Sequence, residues 1–339
     1  MDHQRWSLRW GACAILCALL LRLSAAGFFQ PVAEFLAKPN IASLLIYLET
    51  GRIVRFSPSA EVLEVFAYES AVPDFALETA APTQPAEEEL PLPVFCAVDA
   101  ENIKFKNSAG VKFDAGELVT QPLQWDLTSG EPAVLILHTH TTESYTRTDG
   151  EDYKETSAFR TLDENYNMIC VGDRLAEILE ESGITVLHDR KLHDYPSYNG
   201  SYSNARKEIT HYLEENPSIR LVLDLHRDAS GDLKNQMRTK ATVDGKSSAQ
   251  IMFVVGTGAS GWKENFSLAL KMQVQLERLA PGICRNINLR TQRFNQDKLP
   301  GTLLVEVGAA GNTRAEALTA VETLAQAIID LSKGAETVE

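Results

Sequence analysis

The residues best suited to chemistry stand at the end of an apolar run, VLILHTHTTESY (134–145), in which His138 and His140 follow four aliphatic residues and Glu143 comes three positions after His140. An imidazole and a carboxylate at that spacing, at the end of a strand, can seat a zinc ion. Two further strand-like runs end in polar residues that a core would not ask for. LVLDL (221–225) leads into His226, Arg227 and Asp228, and LLVEV (303–307) carries Glu306 just ahead of Gly308. A catalytic zinc takes three protein donors and keeps a position for water, whose pKa falls toward about 7. His140, Glu143 and His226 supply three donors, and Glu306 supplies a base to carry the water's proton to a leaving amine. A carboxylate inside LLVEV is costly to bury without such a reason.

Each of these residues has an ordinary reading beside the chemical one. A histidine after a strand is commonly a hydrogen-bonded structural residue, and Glu143 is equally suited to capping a turn. His138 reads as a support that orients a ligand, ranked below His140 because only His140 has a glutamate three residues on. Glu164, just ahead of a helical pattern, competes with Glu143 as third donor. Asp224 points away from Leu225 on its strand, so it is either a support for a ligand or an ordinary paired acid.

The elements that must position these residues are legible as periodicity. Strand-like runs cover 133–138, 184–188, 220–225, 250–255 and 303–307, and helix-like stretches cover 165–182, 203–215, 262–279 and 313–331. In the first helix Met168, Val171, Leu175, Ile178 and Leu179 recur at spacings of three and four before Gly183 stops it. The alternation predicts an α/β fold, a mainly parallel twisted sheet with helices on both faces. Ligands of such sheets bind beyond the carboxyl ends of the strands, where the candidate residues lie. Two motifs compete for attention there. His226, Arg227 and Asp228 spell HRD, but no Asp-Phe-Gly or lysine-bearing strand follows in kinase order. GTGASG (256–261) fits GxGxxG between a strand and a helix, yet it follows the fourth strand and has no acidic strand end about twenty residues on.

Composition sets the remaining bounds. A chain of 339 residues with 44% hydrophobic content is long and apolar enough for a packed core. Arg5 and Arg9 precede an apolar run, 11–29, broken only by Arg22, which reads either as a cleaved signal peptide or, preferred here, as a single membrane anchor. Positive charge ahead of that run keeps the N-terminus cytoplasmic and exports the rest. Residues 31–68 form a membrane-proximal segment, and 69–93, with five prolines and an acidic cluster at 87–89, read as an extended linker to a domain at 94–335. The net charge is −14, and with +2 in residues 1–30 the remainder carries −16, which opposes binding to nucleic acid. Five cysteines without a CxxC argue against both a disulfide framework and a thiolate zinc cluster.

With those residues in place the chain resembles the stage II sporulation protein P family of cell-wall amidases. The resemblance is carried by HTHTTESY (138–145), NYNMICVGDRLAEILEESGITVLHD (165–189), YPSYNGSYSNAR (195–206), LDLHRDA (223–229), AQIMFVVGTG (249–258) and LLVEVGAAGNT (303–313), in the family's order. It implies a single-pass membrane protein facing the space between mother cell and forespore. Such a protein hydrolyses peptidoglycan as a zinc N-acetylmuramoyl-L-alanine amidase and endopeptidase, alongside stage II sporulation proteins D and M. It also implies a fold like the zinc amidases and carboxypeptidases, with His140, Glu143 and His226 on zinc and Glu306 as base. The Gly-His-Gly-Gly signature of amidases is absent, so Glu143 and Glu164 both stay open. Stem-peptide carboxylates would suit paired hydrogen bonds from Arg206 and Arg227, with Tyr198 and Asn199 lining the groove. The competing class is an inactive peptidoglycan-binding scaffold, and another zinc peptidase of the same fold is a third.

Overall fold

The computed structural model describes residues 95–123, 125–229 and 235–332, all within the second of the chain's two units, Ala86–Glu339. The expected anchor, membrane-proximal segment and linker lie outside the described residues. Among the described residues no helix is long and apolar enough to cross a membrane.

After one turn of 3-10 helix, Ala97–Ala100, the chain forms β1 (Phe105–Asn107), α1 (Ala115–Val119), β2 (Val134–Leu137) and a small hairpin of β3 (Glu155–Ser157) and β4 (Arg160–Thr161). Then come α2 (Met168–Glu181), β5 (Val186–His188), α3 (Ser201–Glu215), β6 (Leu221–Asp228), and a second hairpin, β7 (Ala241–Val243) with β8 (Lys246–Ser248). The chain closes with β9 (Ile251–Gly256), α4 (Trp262–Leu279), β10 (Ile287–Arg290), β11 (Thr302–Ala309) and α5 (Arg314–Ser332). All five expected strands and all four expected helices are present. β1 and β10 were not legible, because FKN and INLR are short and interrupted by polar residues.

The main sheet has the order β1-β10-β9-β11-β6-β2-β5. Its neighbours run parallel except β9 and β11, which are antiparallel. That single reversal decides where two motifs lie. With Leu304 opposite Val254 and Val307 opposite Ile251, the carboxyl end of β9 sits beside the start of β11. The GTGASG loop is therefore at the sheet edge opposite to His226 and Glu306.

Alternation along the strands sorts residues between two faces. Leu221, Leu223 and Leu225 of β6, with Leu303, Val305 and Val307 of β11, enter the main core with α2, α4 and α5. Leu135, Leu137 and Val222 face the other way, onto Ala205 and Ile209 of α3. Asp224, His226 and Glu306 share the parity of Val222 and so emerge on the α3 side. Local chemistry trims α2 to its observed start: the Asn167 side chain accepts a hydrogen bond from the Ile169 amide at 3.0 Å, so Asn167 caps the helix rather than joining it.

Candidate active site

Four segments bring the candidate residues together: the turn after β2, the end of β6, the middle of β11 and the first turn of α3. His226 and Glu306 are register partners on adjacent strands. His140 lies against them, its ring centroid 5.2 Å from that of His226 with the planes at 85°. Tyr202 of α3 closes the cluster, stacked on His226 at 6.5 Å and edge-on to His140 at 5.6 Å.

Asp224 supports this cluster from below. Its carboxylate accepts hydrogen bonds from the Thr139 amide (2.7 Å) and hydroxyl (2.6 Å), which pins the turn carrying His140 to β6. Asp224 Oδ1 is also 2.9 Å from His226 Nε2, yet that nitrogen has no aligned hydrogen-bond partner. The contact is thus an ion pair rather than a directed bond. Burial alone would lower the His226 pKa, but the carboxylates of Asp224, Glu143 and Glu306 outweigh it and raise the value to about 9. His140 is pulled the other way: burial lowers its pKa and outweighs the attraction of Glu143 and Asp224.

Glu143 is held from two sides. Its Oε1 accepts from Arg227 Nη1 at 3.0 Å and Arg160 Nη2 at 3.2 Å, while Oε2 accepts from the Arg227 amide at 3.3 Å and lies 3.7 Å from His226 Nδ1. Burial would raise its pKa, but Arg227, His226, His140 and Arg160 hold the carboxyl below its ordinary range. Glu306 is the opposite case. Its burial outweighs the attraction of His226, and with Glu143 and Asp228 nearby its pKa climbs to about 8.

The structure corrects several expected roles. Arg227 is buried with its guanidinium on Glu143 and on the Ser144 and Phe159 carbonyls, so it serves the site's framework and not a substrate carboxylate. Arg206 does make the expected paired hydrogen bonds, but to Asp297, both at 2.8 Å. Glu164 pairs with Arg190 at 2.5 Å, on the side occupied by Asp173 and His188, and does not rival Glu143. His138 is fully buried: the Leu225 carbonyl, which can only accept, takes its Nδ1 proton (3.2 Å), and its Nε2 faces His188 Nε2 at 2.8 Å. It therefore has no free lone pair for the cluster. Tyr198 and Asn199 are exposed at the rim, with Tyr198 stacked on His140 at 4.6 Å.

Arg160, Asp194 and Tyr202 escaped the sequence reading. Arg160 sits in a polar hairpin with no periodic signal, and Tyr202 falls just ahead of the helical stretch expected at 203–215, in a helix that starts at Ser201.

A zinc ion can be tested against what is present. Three neighbouring residues carry buried polar atoms without a hydrogen-bond partner: His140 Nδ1, His226 Nε2 and Glu306 Oε2. Two imidazoles sharing one tetrahedral zinc have ring centroids about 5 Å apart, the spacing of His140 and His226. The surrounding acids Asp224, Glu143 and Glu306 favour a cation. Among the described residues, however, no three histidine, cysteine or acidic side chains are gathered closely enough to form a finished cage. The two imidazoles fit the metal in kind and spacing, and Glu143 Oε2 lies 3.7 Å from His226 Nδ1.

The family model for stage II sporulation protein P matches residues 74–329. The stage II sporulation protein P of Bacillus subtilis strain 168 is 28% identical over 227 residues, covering 62% of this chain and 54% of that protein. The chain thus spans about half the length of that curated relative. Among solved structures, the amidase CwlD of Clostridioides difficile, in complex with the GerS lipoprotein, is 17% identical over 60% of this chain and 98% of its own, with a TM-score of 0.37. The N-acetylmuramoyl-L-alanine amidase AmiC2 of Nostoc punctiforme is 15% identical over 58% and 94%, with a TM-score of 0.34.

Proposed function

The chain belongs to the stage II sporulation protein P family, and from that premise we propose that it is a zinc-dependent peptidoglycan hydrolase of sporulation. Its bond is the amide between N-acetylmuramic acid and the L-alanine of the stem peptide, with endopeptidase cleavage as a second activity. The reading rests on one observation above the others: the orphaned buried atoms of His140, His226 and Glu306 lie on neighbouring residues.

His140, His226 and Glu143 would hold the zinc, which when bound supplies Lewis acidity and a lowered water pKa. Glu306 moves the proton. Its carboxylate takes one from the attacking water as the new C–O bond forms, and returns it to the alanine nitrogen as the C–N bond breaks. Asp224 fixes the turn that carries His140, and Arg227 with Arg160 fixes Glu143. Peptidoglycan outside the cell membrane, between mother cell and forespore, is the substrate that goes with this reading, and stage II sporulation proteins D and M are the partners.

One observation favours a second reading, a non-hydrolytic peptidoglycan-binding scaffold: the three expected donors are not drawn into a finished cage. Incubating the full chain with peptidoglycan, with and without a chelator, separates the two. Free stem peptides identified by mass spectrometry, and lost on chelation, support the hydrolase. Intact glycan recovered on the protein without released peptide supports the scaffold.

A further inference from the structure

Two residues from outside the sheet meet over the proposed donors. Arg160, on the β3–β4 hairpin, donates to Glu143 Oε1 at 3.2 Å and to Thr142 Oγ1 at 3.1 Å, and also pairs with Asp194. Its guanidinium lies 5.0 Å from the ring centroid of Tyr198. Tyr198, from the loop ahead of α3, stacks on His140 with planes at 12° and places its phenol oxygen 3.1 Å from His140 Nε2. Asp194, four residues earlier in the same loop, accepts from the Thr142 amide (3.1 Å) and hydroxyl (2.7 Å), so the loop and the turn carrying His140 and Glu143 are tied together.

We propose that Tyr198 and Arg160 are a linked pair of positioning residues that set the two donors of the turn for a metal ion. The inference rests on the zinc reading above. When His140 Nε2–H donates to the Tyr198 oxygen, the lone pair is left on Nδ1, the buried nitrogen that has no partner. When Arg160 and Arg227 hold Glu143 Oε1, Oε2, which also accepts from the Arg227 amide at 3.3 Å, is the oxygen turned toward His226, 3.7 Å from its Nδ1. Each residue fixes one donor by engaging the atom that the metal would not use, as outer partners of metal ligands commonly do. Because the guanidinium also lies over the phenol ring, the two constraints are not independent. Arg227 duplicates part of the hold on Glu143, but its guanidinium is taken up by Glu143 and by the Ser144 and Phe159 carbonyls, whereas that of Arg160 lies against the Tyr198 ring.

The test is the zinc affinity of the full chain, measured by competition with a chromophoric chelator, with no turnover involved. Tyr198→Phe removes one oxygen and keeps the stacked ring; it should weaken zinc binding about tenfold. Arg160→Met should weaken it by at least as much, and Arg160→Lys, which keeps charge without the planar fork, should recover only part of the loss. Combining Tyr198→Phe with Arg160→Met should cost less than the product of the two single effects. Tyr195→Phe, in the same loop and away from the donors, should bind zinc as the unsubstituted chain does. Melting temperatures of the metal-free proteins identify a variant that fails to fold, and Tyr198→Phe, the smallest change, then carries the test. Unchanged zinc affinity in both Tyr198→Phe and Arg160→Met would overturn the inference and leave the zinc reading standing. An unsubstituted chain that binds no zinc would overturn both.

Discussion

Glu306 separates function from stability at the scale of a single residue. Its carboxyl has a pKa near 8 in the fold against about 4.3 in an unfolded chain. Between those values the folded state binds the extra proton, so the stability of the metal-free protein falls as pH rises. Glu306→Gln mimics the protonated form and removes that slope. The metal-free variant should melt at a temperature close to that of the unsubstituted chain near pH 5 and higher than it near pH 9, while its hydrolysis is lost by two orders of magnitude or more. Thermal melts at the two pH values and a peptide-release assay check the two halves separately. Retained hydrolysis would remove Glu306 from the mechanism, whatever the melts show.

Gly172 makes a second argument at this scale. It lies inside α2, where alanine ordinarily stabilises by about 1 kcal/mol. A Cβ there would lie 2.5 Å from His188 Nε2 and 2.7 Å from His138 Nε2, and the His138 ring is not free to retreat, being fully buried and bonded at both nitrogens. The clash should reverse the sign. Gly172→Ala is expected to destabilise by roughly 1–3 kcal/mol, read from urea unfolding midpoints. A neutral or stabilising result would mean that the histidine pair is far softer than its geometry suggests.

Among the elements, α5 depends on one carboxylate in its first turn. Glu316 accepts from Arg238 at 2.6 and 3.0 Å, from Ser247 at 2.7 Å and from Asn312 at 2.9 Å, joining the helix start to the β7–β8 region and to the end of β11. Burial would raise its pKa, but these donors hold it at about 2. A depressed carboxyl contributes its stability above the unfolded value of about 4.3 and loses it as pH falls toward 2. Glu316→Gln should therefore lower the melting temperature at neutral pH and converge with the unsubstituted chain near pH 2–3, as a pH series of melts would show. No sequence signal announces this residue, because its partners come from segments 78 and 69 positions away. The same limit governs the site. β2, β6, β11 and their polar ends were legible because an apolar run that stops at His140, His226 or Glu306 is a local pattern. The fates of Arg206, Arg227 and Glu164 were not, because a guanidinium or carboxylate is claimed by whichever opposite charge the fold brings near. For Arg206 that is Asp297, 91 residues away. The antiparallel turn of β9 was likewise invisible, since strand direction is decided by the connections and not by the apolar runs themselves.

Taken whole, the molecule places most of its apolar packing on the α2, α4 and α5 side of the sheet and its chemistry on the α3 side, at the edge where β6 and β11 end. A site built from four separate segments adds little to the core, and the acids around His226 repel one another, so the metal-free fold carries an electrostatic penalty that a cation would relieve. The prediction is a linkage effect. Zinc that binds only the folded chain should stabilise it by about 2.7 kcal/mol when present at one hundred times its dissociation constant, visible as a rise in melting temperature that chelation reverses. His226→Ala should abolish that rise, because it removes a donor. Asp224→Asn should only diminish it, because Thr139 keeps an acceptor while His226 loses the charge beside it. The ordering of the three proteins is the discriminating result. An equal zinc response in His226→Ala and the unsubstituted chain would place the metal elsewhere. An equal response in Asp224→Asn would show that this carboxylate holds the turn and has no influence on the ligand.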